Sequence, residues 1–442
     1  MREKLTSDIK QKLILKTLER NLKKSISISE SEKSGGVVRS NVTELTDFAK
    51  HPGYLQIAMV RDVGDKLNLP SPFFKVHDST AGATTQIEGE SYINFASYNY
   101  LGLCGHPLVN EAAINAIDRY GTSVSASRMV SGERPIHQQL ESELANAYDV
   151  DDAVVFVSGH ATNVSVVGYL LGPKDLILHD EFIHNSVLVG SQLSGARRIS
   201  FRHNRFEELA VLLEQHRNNF ERVLIVVEGL YSMDGDYPDL PRCIELKEHF
   251  KAWLMVDESH SFGVMGNAGL GIRDHFGLSG DAVDIWMGTL SKALSASGGY
   301  IAGCQELVDI LRHLAPGFLY SVGIPGQVAA PALAALKLMQ NEPDRVKRLH
   351  EISAYFLEQV QRIGLDAGYS KGIAVVPVIL GSSLKAVQLS NYLFKQGINI
   401  QPIIYPAVPE KSARLRFFLS SEHTREQIDW VILQLSSASD SK

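Results

Sequence analysis

A lone cation, Lys292, sits in 284–299, DIWMGTLSKALSASGG, where an apolar run gives way to small and hydroxyl residues. A partly desolvated amine in such a place can form a Schiff base with an aldehyde. Taken alone, it reads equally as a solvated lysine at a helix start. Thirty-five residues earlier, WLMVDESHSFG (253–263) delivers Asp257 at the end of another apolar run and His260 three residues on. A carboxylate there is costly to bury without a partner. It can keep a heterocyclic nitrogen protonated, cap a following helix or pair with an arginine. A third piece is Ser158-Gly159-His160, ahead of a helix-like segment at 161–171. A strand, a glycine turn and a helix N-terminus make an anion site from free N–H groups and the helix dipole. Thr289 and Ser291 flank the lysine on a turn that can donate to phosphate. An amine, a carboxylate and a phosphate turn together describe a receptor for pyridoxal 5′-phosphate, which carries an aldehyde, a ring nitrogen and a phosphate.

These groups need a frame. Short apolar runs occur at 153–157, 176–178, 223–227, 253–256 and 285–287, each followed by a helix-like segment. Runs apolar on both faces suit buried parallel strands, and strands alternating with helices make an α/β domain with crossover connections. In such sheets functional residues collect at the carboxyl ends of the strands. The words that follow the runs are Ser158-Gly159-His160, His179-Asp180-Glu181, Glu228-Gly229 leading to Ser232-Met233-Asp234-Gly235, Asp257-Glu258-Ser259-His260, and Gly288 through Lys292.

Composition bounds the rest. In 442 residues, 44% hydrophobic and 21% charged content supplies a sizeable core and excludes disorder for most of the chain. A net charge of −7 argues against a nucleic-acid binder. Cys104, Cys243 and Cys304 have neither metal-ligand spacing nor the number for a disulfide framework, so no metal is expected and a reducing compartment fits. No apolar stretch of about 20 residues suggests a spanning helix. MREKLTSDIKQ lacks the apolar core of a signal peptide, and the expectation is a cytoplasmic protein. Residues 1–24 read as an amphipathic helix, net basic on its polar face, that docks on the body of the protein, on a partner or on a membrane surface. Residues 25–40 read as a linker.

The motifs SYNYLGL (97–103), GTSVSASR (121–128), HQQLESELA (137–145), FVSGHATN (156–163), HDEFIHNS (179–186), YSMDGDYPDL (231–240), VDESHSFGVMG (256–266), GTLSKALSASGGYIAG (288–303) and RLRFFLSSEHT (414–424) stand in an order that resembles the α-oxoamine synthases. The resemblance runs from about residue 92 to the C-terminus. It implies the fold of fold-type I pyridoxal-phosphate transferases, aspartate aminotransferase-like, with a mostly parallel large sheet and a smaller α+β domain. The expected organisation is a helix and linker at 1–40, an N-terminal arm at 41–95, a large cofactor-binding domain at 96–312 and a small C-terminal domain at 313–442.

The resemblance also implies roles. Lys292 is the Schiff-base lysine and the base for the substrate Cα proton. Asp257 partners the pyridinium nitrogen, and His184 stacks on the cofactor ring. His260 and Ser232 lie near the phenolic oxygen. Thr289, with the backbone of Gly159 and His160, forms the phosphate site. Arg416 holds the amino-acid carboxylate, with Arg414, two residues away on the same strand face, as the rival. His137 matches a family histidine and is read as structural. Ser321, in FLYSVGIPG, sits where the family has a Ser/Thr pair reaching the neighbouring subunit's phosphate, but Val322 removes one hydroxyl.

The implied reaction is a decarboxylative condensation of a small L-amino acid (serine, alanine or glycine) with an acyl thioester on coenzyme A or acyl carrier protein. An α-amino ketone, CO₂ and a free thiol result. A homodimer with a shared active site is implied as well. The wording of SYNYLG and the long N-terminal extension favour a serine palmitoyltransferase-like member. The segment 77–102 resembles synthase domains of polyketide assembly lines. An 8-amino-7-oxononanoate synthase, an autoinducer synthase, and an aldolase-type lyase or aminotransferase of the same fold are the alternatives. A non-catalytic partner subunit is disfavoured because Lys292 is present.

Overall fold

The computed structural model describes residues 45–440. The helix read at 1–24 and the linker read at 25–40 lie outside the described residues. Those described fall into two compact units, one ending at Phe74 and one starting at Lys75. In the first, a 3-10 turn, Phe48–Lys50, leads to helix Pro52–Lys66, which has proline in its first turn and His51 Nδ1 accepting from the Gly53 N–H. No residue of this helix is buried.

The second unit opens with a hairpin, β1 (Thr84–Ile87) and β2 (Glu90–Asn94), turned by Glu88 and Gly89 at φ of 54° and 79°. A two-residue turn that matches the strand twist needs positive φ at both positions. The large sheet follows: β3 (Asp152–Phe156), β4 (Leu176–Asp180), β5 (Arg197–Phe201), β6 (Val223–Glu228), β7 (Trp253–Asp257), β8 (Ile285–Thr289) and β9 (Gly299–Gly303), ordered β3-β9-β8-β7-β6-β4-β5. Every residue of β4, β6 and β8 is buried, as a sheet covered by helices on both faces requires. The C-terminal part adds β10 (Val375–Ile379), β11 (Ile398–Asn399), β12 (Pro402–Ile403) and β13 (Arg414–Phe418). Strand β11 extends the β1–β2 hairpin, and β10, β13 and β12 form a third sheet.

The sheet departs from the sequence reading in two ways. Strands β4, β6, β7 and β8 run past their apolar runs, so Asp180, Glu228, Asp257 and Thr289 are the last strand residues rather than the first loop residues. Backbone pairing continues regardless of side-chain polarity, as the register Glu228↔Asp257 shows. Second, β5 and β9 were not legible. RRISF is largely polar, and GYIAG opens and closes on glycine. Strand β9 runs antiparallel to both β3 and β8, which makes the sheet mixed.

The helix Pro135–Tyr148 carries part of HQQLESELA into the core. There Glu141 pairs with Arg128 and with Arg312 Nη2 (2.9 Å), and its Oε1 accepts from the Val155 N–H (2.8 Å). His137 Nε2 lies 2.7 Å from the Ile324 carbonyl, which ties this helix to the segment before helix Gly326–Asn341.

Candidate active site

Because β9 is antiparallel to both neighbours, β3 points the same way as β4, β6, β7 and β8. The carboxyl ends of all five strands therefore share one edge of the sheet, where ligands bind in this class of fold. That edge receives the 158–160 turn, Asp180, Glu228, Asp257 and Thr289.

The turn after β3 is shaped for an anion. Ser158 caps helix Gly159–Leu170 through the Ala161 N–H (3.1 Å), and Thr162 N–H makes the first helical bond, to the Ser158 carbonyl. The N–H groups of Gly159 and His160 precede it and have no acceptor. A Cβ on Gly159 would come within 2.9 Å of Thr289 Oγ1, and one on Gly299 within 2.6 Å of Gly159 Cα. Only glycine lets this turn sit against both β8 and β9. Thr289 Oγ1 lies 2.8 Å from Ser291 Oγ, which adds hydroxyls beside the free N–H groups.

Asp257 is buried at the end of β7. Its Oδ1 accepts from the Ser259 N–H (3.0 Å) and its Oδ2 from Asn163 Nδ2 (2.9 Å). The same Nδ2 reaches Ser186 Oγ (2.9 Å), which lies 2.6 Å from His184 Nδ1. A chain of hydrogen bonds thus links Asp257 to His184. Burial depresses the His184 imidazole, against the raising pull of Asp257, so the ring is biased towards its neutral form. His160 stands edge-on to it at 6.4 Å between ring centres.

Among the described residues no hydrogen bond or ion pair engages Lys292 Nζ, which lies 5.5 Å from the Tyr98 ring centre. Burial lowers the amine to about 8, with Asp257 opposing the fall most, Glu228 also opposing it in so far as it is ionised, and Arg416 adding to it. Glu228 ends β6 beside Asp257. Burial, then the charge of Asp257 beside it, push its carboxyl well above the usual range, and its Oε1 is buried without a partner. Burial thus biases Glu228 towards its protonated form. His260 Nδ1 lies 2.8 Å from the Tyr100 hydroxyl, and burial followed by Lys292 and Arg416 drives its imidazole well below the usual value.

The two arginines of β13 differ sharply. Arg414 Nη1 donates to Asp234 Oδ1 (2.7 Å) in a buried ion pair, so its charge is already matched. Arg416 Nη1 donates only to the Ser232 carbonyl (3.0 Å) and Met233 Sδ (3.4 Å), its plane lies 4.5 Å from the Phe418 ring centre, and its Nε is buried without a partner. Arg416 is the arginine with capacity left for a carboxylate.

The structure thus brings Gly159, His160, His184, Ser232, Asp257, His260, Thr289, Lys292 and Arg416 to one edge of the sheet. Ser321, half-buried between helices Pro316–Leu319 and Gly326–Asn341, makes no hydrogen bond to them. The sequence reading missed Asn163, Tyr98, Tyr100 and the burial that raises the Glu228 carboxyl. Asn163 closes the FVSGHATN motif four residues after Gly159, one helical turn on, and that spacing was the available signal. Residues that fit pyridoxal 5′-phosphate are all present: free N–H groups and hydroxyls for the phosphate, Asp257 for the ring nitrogen, and an unpaired amine for the aldehyde. Among the described residues no cluster fit for a metal ion occurs, and no helix is long and apolar enough to cross a membrane.

Residues 90–435 match the aminotransferase class I and II family. The 8-amino-7-oxononanoate synthase of Symbiobacterium thermophilum is 40% identical over 343 residues, which cover 78% of this chain and 87% of that one. Among solved structures, a serine palmitoyltransferase with pyridoxal phosphate superposes at a TM-score of 0.84 and 27% identity, covering 89% of this chain and 99% of its own. The 8-amino-7-oxononanoate synthase of Francisella tularensis superposes at 0.69 and 26% identity, covering 79% and 98%.

Proposed function

The chain belongs to the aminotransferase class I and II family and, within it, to the pyridoxal-phosphate-dependent α-oxoamine synthases of fold type I, C-acyltransferases; from this premise we propose that it joins L-alanine to a seven-carbon dicarboxylic acyl thioester, as the name of its 40% identical relative suggests. The product's name sets its parts. In 8-amino-7-oxononanoate, C8 and C9 are what alanine leaves after losing CO₂, and C1 to C7 come from the acyl donor. That relative shifts the preference away from the serine palmitoyltransferase-like reading of the sequence. The higher superposition score of the palmitoyltransferase keeps L-serine with a long-chain acyl thioester as the second reading.

The observation that supports condensation is the pairing of an unengaged amine at Lys292 with an unpaired arginine, Arg416, across one site. Pyridoxal 5′-phosphate, when bound, supplies an electron sink for negative charge at the amino-acid Cα. Asp257 would hold a proton at the ring nitrogen, and His184 would cover the ring. Arg416 binds the amino-acid carboxylate through its free N–H groups. Lys292 Nζ takes the Cα proton, and its lowered pKa leaves a useful neutral fraction near neutral pH. With the Cα proton on Lys292, the amino acid would be acylated at Cα as the thioester's thiol leaves, and the resulting β-keto acid would lose CO₂. Tyr98 and Phe418, 4.7 Å apart edge to face, bound the site with apolar surface. The proposal includes a cytoplasmic homodimer with a shared site, in which Ser321 reaches the partner's phosphate turn.

The test crosses alanine, serine and glycine with coenzyme A and carrier-protein donors of both kinds and follows thiol, CO₂ and product mass. Thiol and CO₂ released together from alanine and the dicarboxylic donor are expected. Transamination of a keto acid without thiol release overturns the condensation. Arg416→Lys is expected to raise the amino-acid KM by about 10- to 100-fold, the worth of hydrogen bonds to a charged group, with kcat changed less. Arg414→Lys is expected to lower the melting temperature instead, because it disturbs the buried pair with Asp234.

A further inference from the structure

The loop 231–236, YSMDGD, is held by a charged cluster that the condensation does not use. His203, just past β5, lies between two carboxylates, with Nδ1 3.0 Å from Asp180 Oδ1 and Nε2 2.8 Å from Asp236 Oδ2. The three side chains are 8%, 0% and 7% exposed. Asn204 reinforces both contacts, its N–H donating to Asp180 Oδ2 and its Nδ2 to Asp236 Oδ2, each at 2.9 Å. Phe182 stacks on the imidazole at 4.5 Å, and Tyr231 meets it edge-on at 4.5 Å. Two ring nitrogens that both face carboxylate oxygens must both donate, which makes the ring an imidazolium. Burial alone would depress it; the hydrogen bonds to Asp180 and Asp236 outweigh burial and raise it to about 10.

Each carboxylate belongs to an element that carries a site residue. Asp180 ends β4, and its Oδ1 also accepts from the Phe182 N–H (2.9 Å), so it steers the chain towards His184. Asp236 closes the loop that seats Arg416. Within that loop Tyr231 N–H donates to the Asp236 carbonyl and Gly235 N–H to the Tyr231 carbonyl, both at 2.8 Å. A shift of Asp236 therefore carries the Ser232 carbonyl and Met233 Sδ with it, the two acceptors that hold Arg416 Nη1. The Arg414–Asp234 pair holds the loop from the other side.

We propose that His203 is a positioning residue for amino-acid binding, bridging Asp180 and Asp236 so that the loop between them presents Arg416 to the substrate carboxylate. This rests on the reading of Arg416 as the residue that binds that carboxylate. A purely structural bridge would only neutralise two buried carboxylates.

The test titrates the wild-type and His203→Gln holoenzymes with L-alanine, L-serine and glycine and follows the visible absorption of the bound cofactor. The variant is expected to show a dissociation constant raised about tenfold, within the range of couplings transmitted through packed networks, with kcat at saturation changed less. A lower melting temperature with an unchanged dissociation constant overturns the proposal. Should His203→Gln not fold, the near-isosteric Asp236→Asn is read in the same way, and an unchanged constant is again decisive against it. A wild type that responds to none of the three amino acids overturns the functional reading, and this proposal with it. A responsive wild type beside an equally responsive variant overturns the positioning role alone.

Discussion

Lys292→Ala is expected to lower condensation by about 10⁴-fold, the upper range for loss of a positioned general base, while leaving the protein as stable as the wild type or more so. The two halves of that expectation have separate causes. Lys292 Nζ has no hydrogen bond or ion pair, so its removal strands no partner. The amine also loses solvation in the fold, which is why burial lowers it to about 8. Near pH 8 about half of such amines are neutral, against well under one per cent for a lysine at its ordinary value. Alanine can neither capture the aldehyde nor accept the Cα proton. The checks are thiol release with alanine and acyl donor, the visible band of the bound cofactor, and a thermal melt. Turnover within tenfold of wild type would remove Lys292 from the mechanism.

Asp257→Asn is expected to reduce kcat by about 10²- to 10³-fold, comparable to removing one preorganised charge-stabilising group, with the amino-acid KM altered little. The reason lies in the two acids at the floor of the site. Burial biases Glu228 towards its protonated form, which leaves Asp257 as the acid placed to face the ring nitrogen. An amide keeps the shape and can still accept from Asn163 Nδ2, yet it cannot hold a proton at the ring nitrogen. The loss should therefore fall on the chemical step. Steady-state kinetics separate the two parameters, and a variant that loses amino-acid affinity but keeps kcat would assign Asp257 to binding instead.

Much of the site was legible because each β-strand and the chemistry at its end are neighbours in the chain. An apolar run followed by SGH, DESH or TLSK announces both the element and its function within about ten residues. Strands without that contrast escaped notice. β9 begins on glycine because Gly299 must clear Gly159, a constraint set by a segment about 140 residues away in sequence. The role of Asn163 is not local, since its partners Ser186 and Asp257 come from two other segments.

The sequence by itself determined the α/β class and, through Lys292, Asp257 and the 158–160 turn, the cofactor, since these follow from local hydrophobic pattern and side-chain chemistry; the roles of the other site residues came from the family resemblance. The tertiary structure decided how charge is apportioned. Arg414 and Arg416 are indistinguishable on a strand, two residues apart on one face. Folding brings Asp234 against Arg414 and leaves Arg416 with an unpartnered Nε. Glu228 and Asp257 are both acids at strand ends. Register sets them side by side, and burial followed by the charge of Asp257 raises the Glu228 carboxyl. Electrostatic free energy depends on which groups lie within a few ångströms and how much water remains, and neither is a property of local sequence.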